Sequence, residues 1–146
     1  MTARTVTLGA ALLVAGAAFA DEPDLTGTWE AVSGSIRTTS GETMVMKETS
    51  HVEFIFTDQV GPVFSGTYGW VHPETMQDMH DGEKVTHEAL ETIVGVIHHD
   101  GRTITISDHP DTGIFIGEIV DDNRIELITF ESGPHALAGR MTLERQ

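Results

Sequence analysis

The sequence of 146 residues contains no cysteine, so it has no disulfide and no nucleophilic thiol. Cations are scarce, with 8 Lys and Arg against 23 Asp and Glu, and the formal net charge is −15. Nucleic-acid binding depends on clustered Lys and Arg that neutralise phosphates, and anionic membrane surfaces favour the same residues. The composition therefore argues against both partners. A hydrophobic core has to provide the stability, since no disulfide does.

Catalytic signatures are also missing. The sequence has neither a Gly-x-Ser-x-Gly nor a His-Glu-x-x-His motif. Glu53, Glu118 and Glu126 lie where a buried carboxylate pair would allow acid–base chemistry. Acids in alternating strands usually mark the outer face, however, and Glu118 and Glu126 flank Ile-rich positions in that manner. We therefore expect a non-enzymatic protein, and nothing in the sequence calls for a cofactor.

Only one long apolar run is present, and it lies at the N-terminus. Arg4 precedes a nearly apolar stretch at 6–18, and Ala18-Phe19-Ala20 has the small-x-small form of a cleavage site. The run is too short to span a bilayer, which takes about 20 residues. The sequence therefore predicts a signal peptide over 1–20 and a domain over 21–146. We expect a periplasmic or secreted protein with no membrane insertion after cleavage.

The remaining chain shows the period-2 alternation of β-strands, rich in Ile, Val, Thr and Phe. An Asp-Gly pair at 100–101 is typical of a tight hairpin, 121–123 forms a similar turn, and 58–62 is expected to be a longer loop. Eight strands joined mostly by short turns predict an all-β, up-and-down antiparallel barrel, because closure removes exposed edges. The predicted strands are 28–36, 44–57, 63–72, 92–98, 103–107, 113–120, 124–130 and 136–144.

The polar segment 73–91 does not fit the strand pattern. Its composition favours a long loop, or a short helix near 87–91. Thioether and imidazole groups in this segment suit copper in an oxidising compartment. Their spacing matches no strong ligand motif, so exposed loop residues are the competing interpretation. The candidate metal ligands are Met76, Met79, His80 and His87.

Two short motifs carry a family resemblance. "LTGTW" at 25–29 opens the first predicted strand, and "SGTY" at 65–68 lies within a later one. A Gly-x-Trp at the entry to an eight-stranded barrel resembles the calycin group, which includes lipocalins, avidins and fatty-acid-binding proteins. The resemblance implies that Trp29, preceded by Gly27, plugs one end of the barrel and that a basic residue of the last strand packs across it. Arg140 and Arg145 are the candidates. We favour Arg145, which shares parity with Met141 and Leu143.

The resemblance does not extend to a known ligand. The sequence has only two tryptophans, Trp29 and Trp70, and lacks the residue set with which avidins hold biotin. Some calycin-like proteins hold haem through one histidine of the last strands, and His135 occupies a comparable place. A lone histidine is more often a surface residue.

The leading hypothesis is a binding protein for a small, partly apolar molecule held inside the barrel. A filled barrel acting as a structural or protein-interaction module is the alternative, with the copper-type segment as a third possibility. The oligomeric state does not follow from the sequence. The predicted lining residues share matching parities on neighbouring strands and are Phe54, Phe56, Phe64, Tyr68 and Trp70.

Overall fold

The computed structural model describes residues 22–46, 51–71, 89–110, 112–133 and 136–146. Within these ranges the regular structure is entirely β, and no helix that could cross a membrane occurs there. The strands are β1 (Gly27–Thr38), β2 (Thr43–Val45), β3 (His51–Val60), β4 (Val63–Val71), β5 (Ala89–Ile97), β6 (Thr103–His109), β7 (Ile114–Asp121), β8 (Arg124–Glu131) and β9 (Leu137–Arg145).

Eight of these strands close into one antiparallel barrel. Each strand from β3 to β9 pairs with the next, β1 pairs with β3, and β9 returns to β1 along its whole length. The last pairing places Trp29 opposite Arg145 and Thr38 opposite Leu137. The predicted all-β, eight-stranded antiparallel barrel is therefore confirmed.

The segment predicted as one strand over 44–57 forms two strands. β3 pairs with the start of β1, where Glu30 faces Glu53, and β2 pairs with its end, where Ser35 faces Val45. Glu30 and Ser35 are five residues apart on β1, whereas their partners Glu53 and Val45 are eight residues apart. The segment 45–53 therefore has three residues more than continuous pairing with β1 would use. In the sequence, polar residues at 48 and 50 interrupt the apolar parity of this segment.

Two connections also differ from the prediction. The expected loop over 58–62 is a two-residue turn, Gly61-Pro62, because β3 continues until Val60 pairs with Val63. Gly61 adopts a φ of +57°, a conformation that glycine reaches without a Cβ penalty. Residues 89–91, expected to belong to a loop or a short helix, begin β5. Residues 72–88 lie outside the described part of the chain.

The two ends of the barrel are built differently. The tight turns at 61–62, 98–102 and 122–123 gather at the end where Trp29 lies, together with residues 23–27, which we call the strap. We call the opposite end of the barrel the far end. The connections from β1 to β2, from β4 to β5, from β6 to β7 and from β8 to β9 lie there. A single core of alternating inward side chains joins the two ends.

Candidate ligand-binding end of the barrel

The strap end is closed by hydrogen bonds to the strap backbone. Trp29 is fully buried, and its indole Nε1 donates to the Leu25 carbonyl at 2.8 Å. The Gln59 side chain accepts from the Leu25 N–H at 2.8 Å and donates to the Pro23 carbonyl at 2.9 Å. Gln59 lies near the end of β3, so this strand holds the strap over the Trp29 ring.

Arg145 covers the outer side of the same tryptophan. Its guanidinium carbon lies 4.4 Å from the centroid of the Trp29 ring. The guanidinium also donates to the carbonyls of Asp24, Thr26 and Asp122, at 2.6, 2.7 and 2.9 Å. Arg140, the other candidate, is exposed on β9. Gly27 has a φ of +125°, which lets the strap turn into β1 beside Arg145.

The aromatic residues predicted to line the interior fall into two groups. Phe56 packs against Trp29 with ring centroids 6.5 Å apart and against Phe64 at 4.9 Å, so these rings fill the strap half. Phe54 and Tyr68 stack at 5.1 Å in the next layer. All four of these predicted residues are buried in one core.

Some predicted residues cannot be placed in this way. Trp70 lies on β4, in register with Val52 and Ala89, and its side chain lies outside the described part of the structure. The predicted metal ligands Met76, Met79, His80 and His87, and the histidine at 135, also lie outside the described residues. Among the described residues, no three His, Cys, Asp or Glu side chains come together as metal ligands would.

Phe115, which sequence reasoning did not select, completes a layer of rings across the barrel. Its centroid lies 5.3 Å from that of Phe54 and 5.3 Å from that of Tyr68, with edge-to-face geometry in both pairs. Phe115 comes from β7, whereas Phe54 and Tyr68 come from β3 and β4. The three rings therefore meet in the lumen and form a floor beneath the far end.

The polar groups of the interior lie at the far end. The Tyr68 hydroxyl donates to Asp108 Oδ2 at 3.3 Å, and only 8% of Asp108 is exposed. Thr129 is 5% exposed and lies on the inward parity of β8. Glu91 shares the inward parity of Ile93 on β5, and its Oε2 is buried. These residues come from four strands and surround the far end of the lumen.

Asp108 is the most unusual member of this group. Its Oδ1 is buried and has no hydrogen-bond partner within the described part of the chain. Gly113 faces the carboxylate across the turn between β6 and β7, and a Cβ on Gly113 would collide with Asp108 Oδ2. A glycine at 113 thus leaves room for the carboxylate to sit inside the barrel.

Asp108 and Glu91 are not among the predicted site residues, because Asp108 follows the predicted strand 103–107 and Glu91 belongs to the polar segment 73–91. Continuing the alternation of the apolar runs would have found them, since Asp108 follows Ile104 and Ile106 in parity and Glu91 precedes Ile93. Of the acids that the sequence did single out, Glu118 and Glu126 lie on the outside. They pair with Arg102 at 2.6 Å and Arg124 at 2.7 Å, with side chains 58% and 55% exposed. Glu53 is half-buried on β3, on the parity opposite to Phe54.

No family model matches the sequence, and no curated protein does. Solved structures do match the fold. The S-type phycobiliprotein lyase CPES from Guillardia theta has a TM-score of 0.51 at 8% identity, covering 84% of this chain and 88% of that one. The protein EF1p2_mFAP2b bound to DFHBI has a TM-score of 0.50 at 13% identity, covering 84% of this chain and 94% of that one. At such identities the likeness concerns the barrel fold alone.

Proposed function

We propose that this protein is an exported, non-enzymatic barrel of calycin type that binds a small, partly apolar molecule at the far end of its lumen. The mature chain begins at Asp21 after removal of residues 1–20, and it acts in the periplasm or outside the cell. The ligand rests on the floor formed by Phe54, Tyr68 and Phe115.

One observation carries the proposal, namely the unequal distribution of polar groups inside the barrel. Asp108 and Thr129, the two buried polar residues of the described chain, both lie at the far end, with the Tyr68 hydroxyl beside them. Burying such groups costs free energy unless they find partners. A few polar groups above an apolar surface are what a small-molecule site uses to orient its ligand.

The strap end supports the calycin assignment and the choice of end. The strap covers Trp29, and Arg145 bonds to three backbone carbonyls there, as the resemblance implies for a plugged barrel. A ligand entering from this side would have to displace those bonds. The far end is therefore the end that we propose for binding.

The similar structures are compatible with a barrel that binds a small molecule. One of them is bound to DFHBI, a small molecule, and the other is a phycobiliprotein lyase. We infer both the location and the chemistry of the site from this chain.

A second candidate function is a protein-interaction module with a filled barrel. Two pairs of apolar side chains face solvent on the outside of β7 and β8, where Ile114 lies opposite Phe130 and Ile116 opposite Ile128. The ring layer that crosses the lumen also agrees with a filled interior.

Native mass spectrometry of the full chain, expressed in a bacterium and recovered outside the cytoplasm, tests these proposals. We expect a protein mass that begins at Asp21 and an additional small-molecule mass that denaturation releases. Thr129→Trp should remove the additional mass because it fills the far end, whereas Thr105→Trp on the outer face should retain it. Retention in the Thr129 variant, or absence in the wild type, would contradict ligand binding at this end. A protein mass in place of a small molecule would favour the interaction module.

A further inference from the structure

The buried carboxylate of Asp108 indicates the class of ligand that the far end takes. We infer that the far end binds a protonated amine on an apolar frame, with the ammonium group docked on Asp108 beside the Tyr68 hydroxyl. This inference rests on the proposed function and goes beyond it by naming the charge and the donor group of the ligand.

Asp108 has unfilled hydrogen-bonding capacity within the described chain. An ionised carboxylate has about four acceptor positions. Within the described chain, its Oδ2 accepts one bond, from the Tyr68 hydroxyl at a long 3.3 Å. Its Oδ1 is buried and accepts none there. The ligand must therefore donate hydrogen bonds, because an acceptor would leave this oxygen unsatisfied.

Charge points to the same kind of ligand. Asp108 is a buried acid on the inward parity of β6, and the inward positions of the described strands at the far end hold no Lys, Arg or His. A buried ion without a counter-charge is costly, and a bond between an ammonium and a carboxylate is shorter and stronger than a neutral one. A cation with N–H donors satisfies both requirements.

The surroundings of Asp108 suit an organic ammonium better than a metal ion. The described residues bring no three His, Cys, Asp or Glu side chains together, and a hard metal ion needs more oxygen ligands than Asp108 and Tyr68 provide. The ring of Tyr68, whose hydroxyl contacts the carboxylate, lies 5.3 Å from the ring of Phe115, and the faces of such rings attract both apolar groups and cations. The surroundings therefore suit an amine attached to an aromatic or aliphatic body.

Calorimetric titration of the mature chain with three probes of one shape tests the inference. The probes are phenethylamine, 2-phenylethanol and 3-phenylpropanoate, which carry a cation, a neutral hydroxyl and an anion. We expect phenethylamine to bind at least tenfold more tightly than either other probe. Asp108→Asn should reduce phenethylamine affinity at least tenfold and leave 2-phenylethanol within about twofold.

Two further variants identify the group responsible. Tyr68→Phe keeps the ring and removes the hydroxyl, so phenethylamine affinity should fall by less than in Asp108→Asn. Glu126→Gln makes the same charge change on the outer face of β8, where the side chain is exposed, and should leave all three affinities unchanged. Circular dichroism establishes that each variant is folded. If Asp108→Asn does not fold, the order of the three probes on the wild type and the Tyr68 variant decides.

The outcomes separate this inference from the function on which it rests. Equal binding of the alcohol or the propanoate, or an unchanged amine affinity in Asp108→Asn, would overturn the amine assignment and leave the far-end site standing. If none of the three probes binds but Thr129→Trp removes a co-purified mass, the amine assignment is likewise overturned and the far-end site stands. Failure of the probes without any co-purified mass would overturn both proposals.

Discussion

Removing the guanidinium of Arg145 should loosen the closed end of the barrel and destabilise the whole protein. Arg145→Met keeps most of the aliphatic stem and deletes the group that lies 4.4 Å from the Trp29 centroid. The change also removes the donors to the carbonyls of Asp24, Thr26 and Asp122. The indole hydrogen bond of Trp29 to Leu25 remains, so the variant isolates the contribution of the arginine.

The magnitude depends on how far each lost contact is shielded from water. A cation over an aromatic face contributes about 0.5–2 kcal/mol. The bond to Thr26 is partly buried, and a bond from a charged donor in such a place contributes about 1.5–3 kcal/mol. The bonds to Asp24 and Asp122 are exposed and add little, since solvent and salt screen them. We therefore expect Arg145→Met to lower the free energy of unfolding by about 2–3 kcal/mol, counting the lower part of each range.

Urea unfolding followed by circular dichroism measures this loss. With an m-value of about 1–3 kcal/mol per molar urea, the midpoint should fall by about 0.7–3 M with an unchanged m-value. Arg140→Met is the matched control, because Arg140 lies on the same strand, is exposed and carries the same charge. The control should change stability by less than about 0.5 kcal/mol. If the two variants lose the same stability, Arg145 does not close the barrel in the manner described.

Two other predictions concern the ring layer and an acidic turn. Phe115→Ala should lower the free energy of unfolding in urea by about 3–5 kcal/mol, because Phe115 is 2% exposed and packs against two other rings. Phe130→Ala is the control, since Phe130 is 40% exposed on the outer face, and it should lower the free energy of unfolding by less than about 1 kcal/mol. Similar decreases in the two variants would show that Phe115 does not bridge the lumen. At the hairpin between β5 and β6, hydrogen bonds from the Thr103 hydroxyl and from the Arg102 and Thr103 N–H groups lower the pKa of Asp100 from 3.8 to about 2. A lowered folded-state pKa stabilises the protein above pH 3.8, and this stabilisation is lost as the pH falls towards 2. The difference in melting temperature between wild type and Asp100→Asn should therefore narrow between pH 3.8 and pH 2. A difference that stays constant from pH 5 to pH 2 would show that these hydrogen bonds do not lower the pKa of Asp100.

The strands could be predicted from the sequence because their β-branched residues and turns are unambiguous, but the face that each strand turns inward was harder to predict. Ile114, Phe115 and Ile116 are consecutive and apolar, so these three residues by themselves do not show which of them lies in the core. In the structure Phe115 is buried and the two isoleucines are partly exposed. Gly117 follows Phe115 on the inward parity of β7, where a Cβ would collide with Leu127 of β8.

The candidate site was predictable only where it depends on neighbouring strands. Phe54 and Tyr68 lie directly opposite each other in the pairing of β3 with β4, and a hairpin register follows from the turn between the strands. Phe115 reaches the same rings from across the lumen, through the closure of β1 on β9. Contacts of that kind depend on the stagger of the whole barrel, which no local pattern in the sequence encodes.

Asp108 shows why no local rule could predict which acids of this chain face the core and which face solvent. The expectation that acids on strands face outward holds for Glu118 and Glu126, which lie on the outside beside arginines. Asp108 breaks the expectation on the apolar parity of β6, and an apolar residue there would avoid the cost of burying a carboxylate. At the strap end the buried indole and the arginine find protein partners, whereas Asp108 Oδ1 finds none within the described chain. Local rules are broken most often at functional sites. The lack of a partner for Asp108 Oδ1 within the described chain makes this residue unfavourable for stability. That lack is therefore the strongest reason to place binding at the far end.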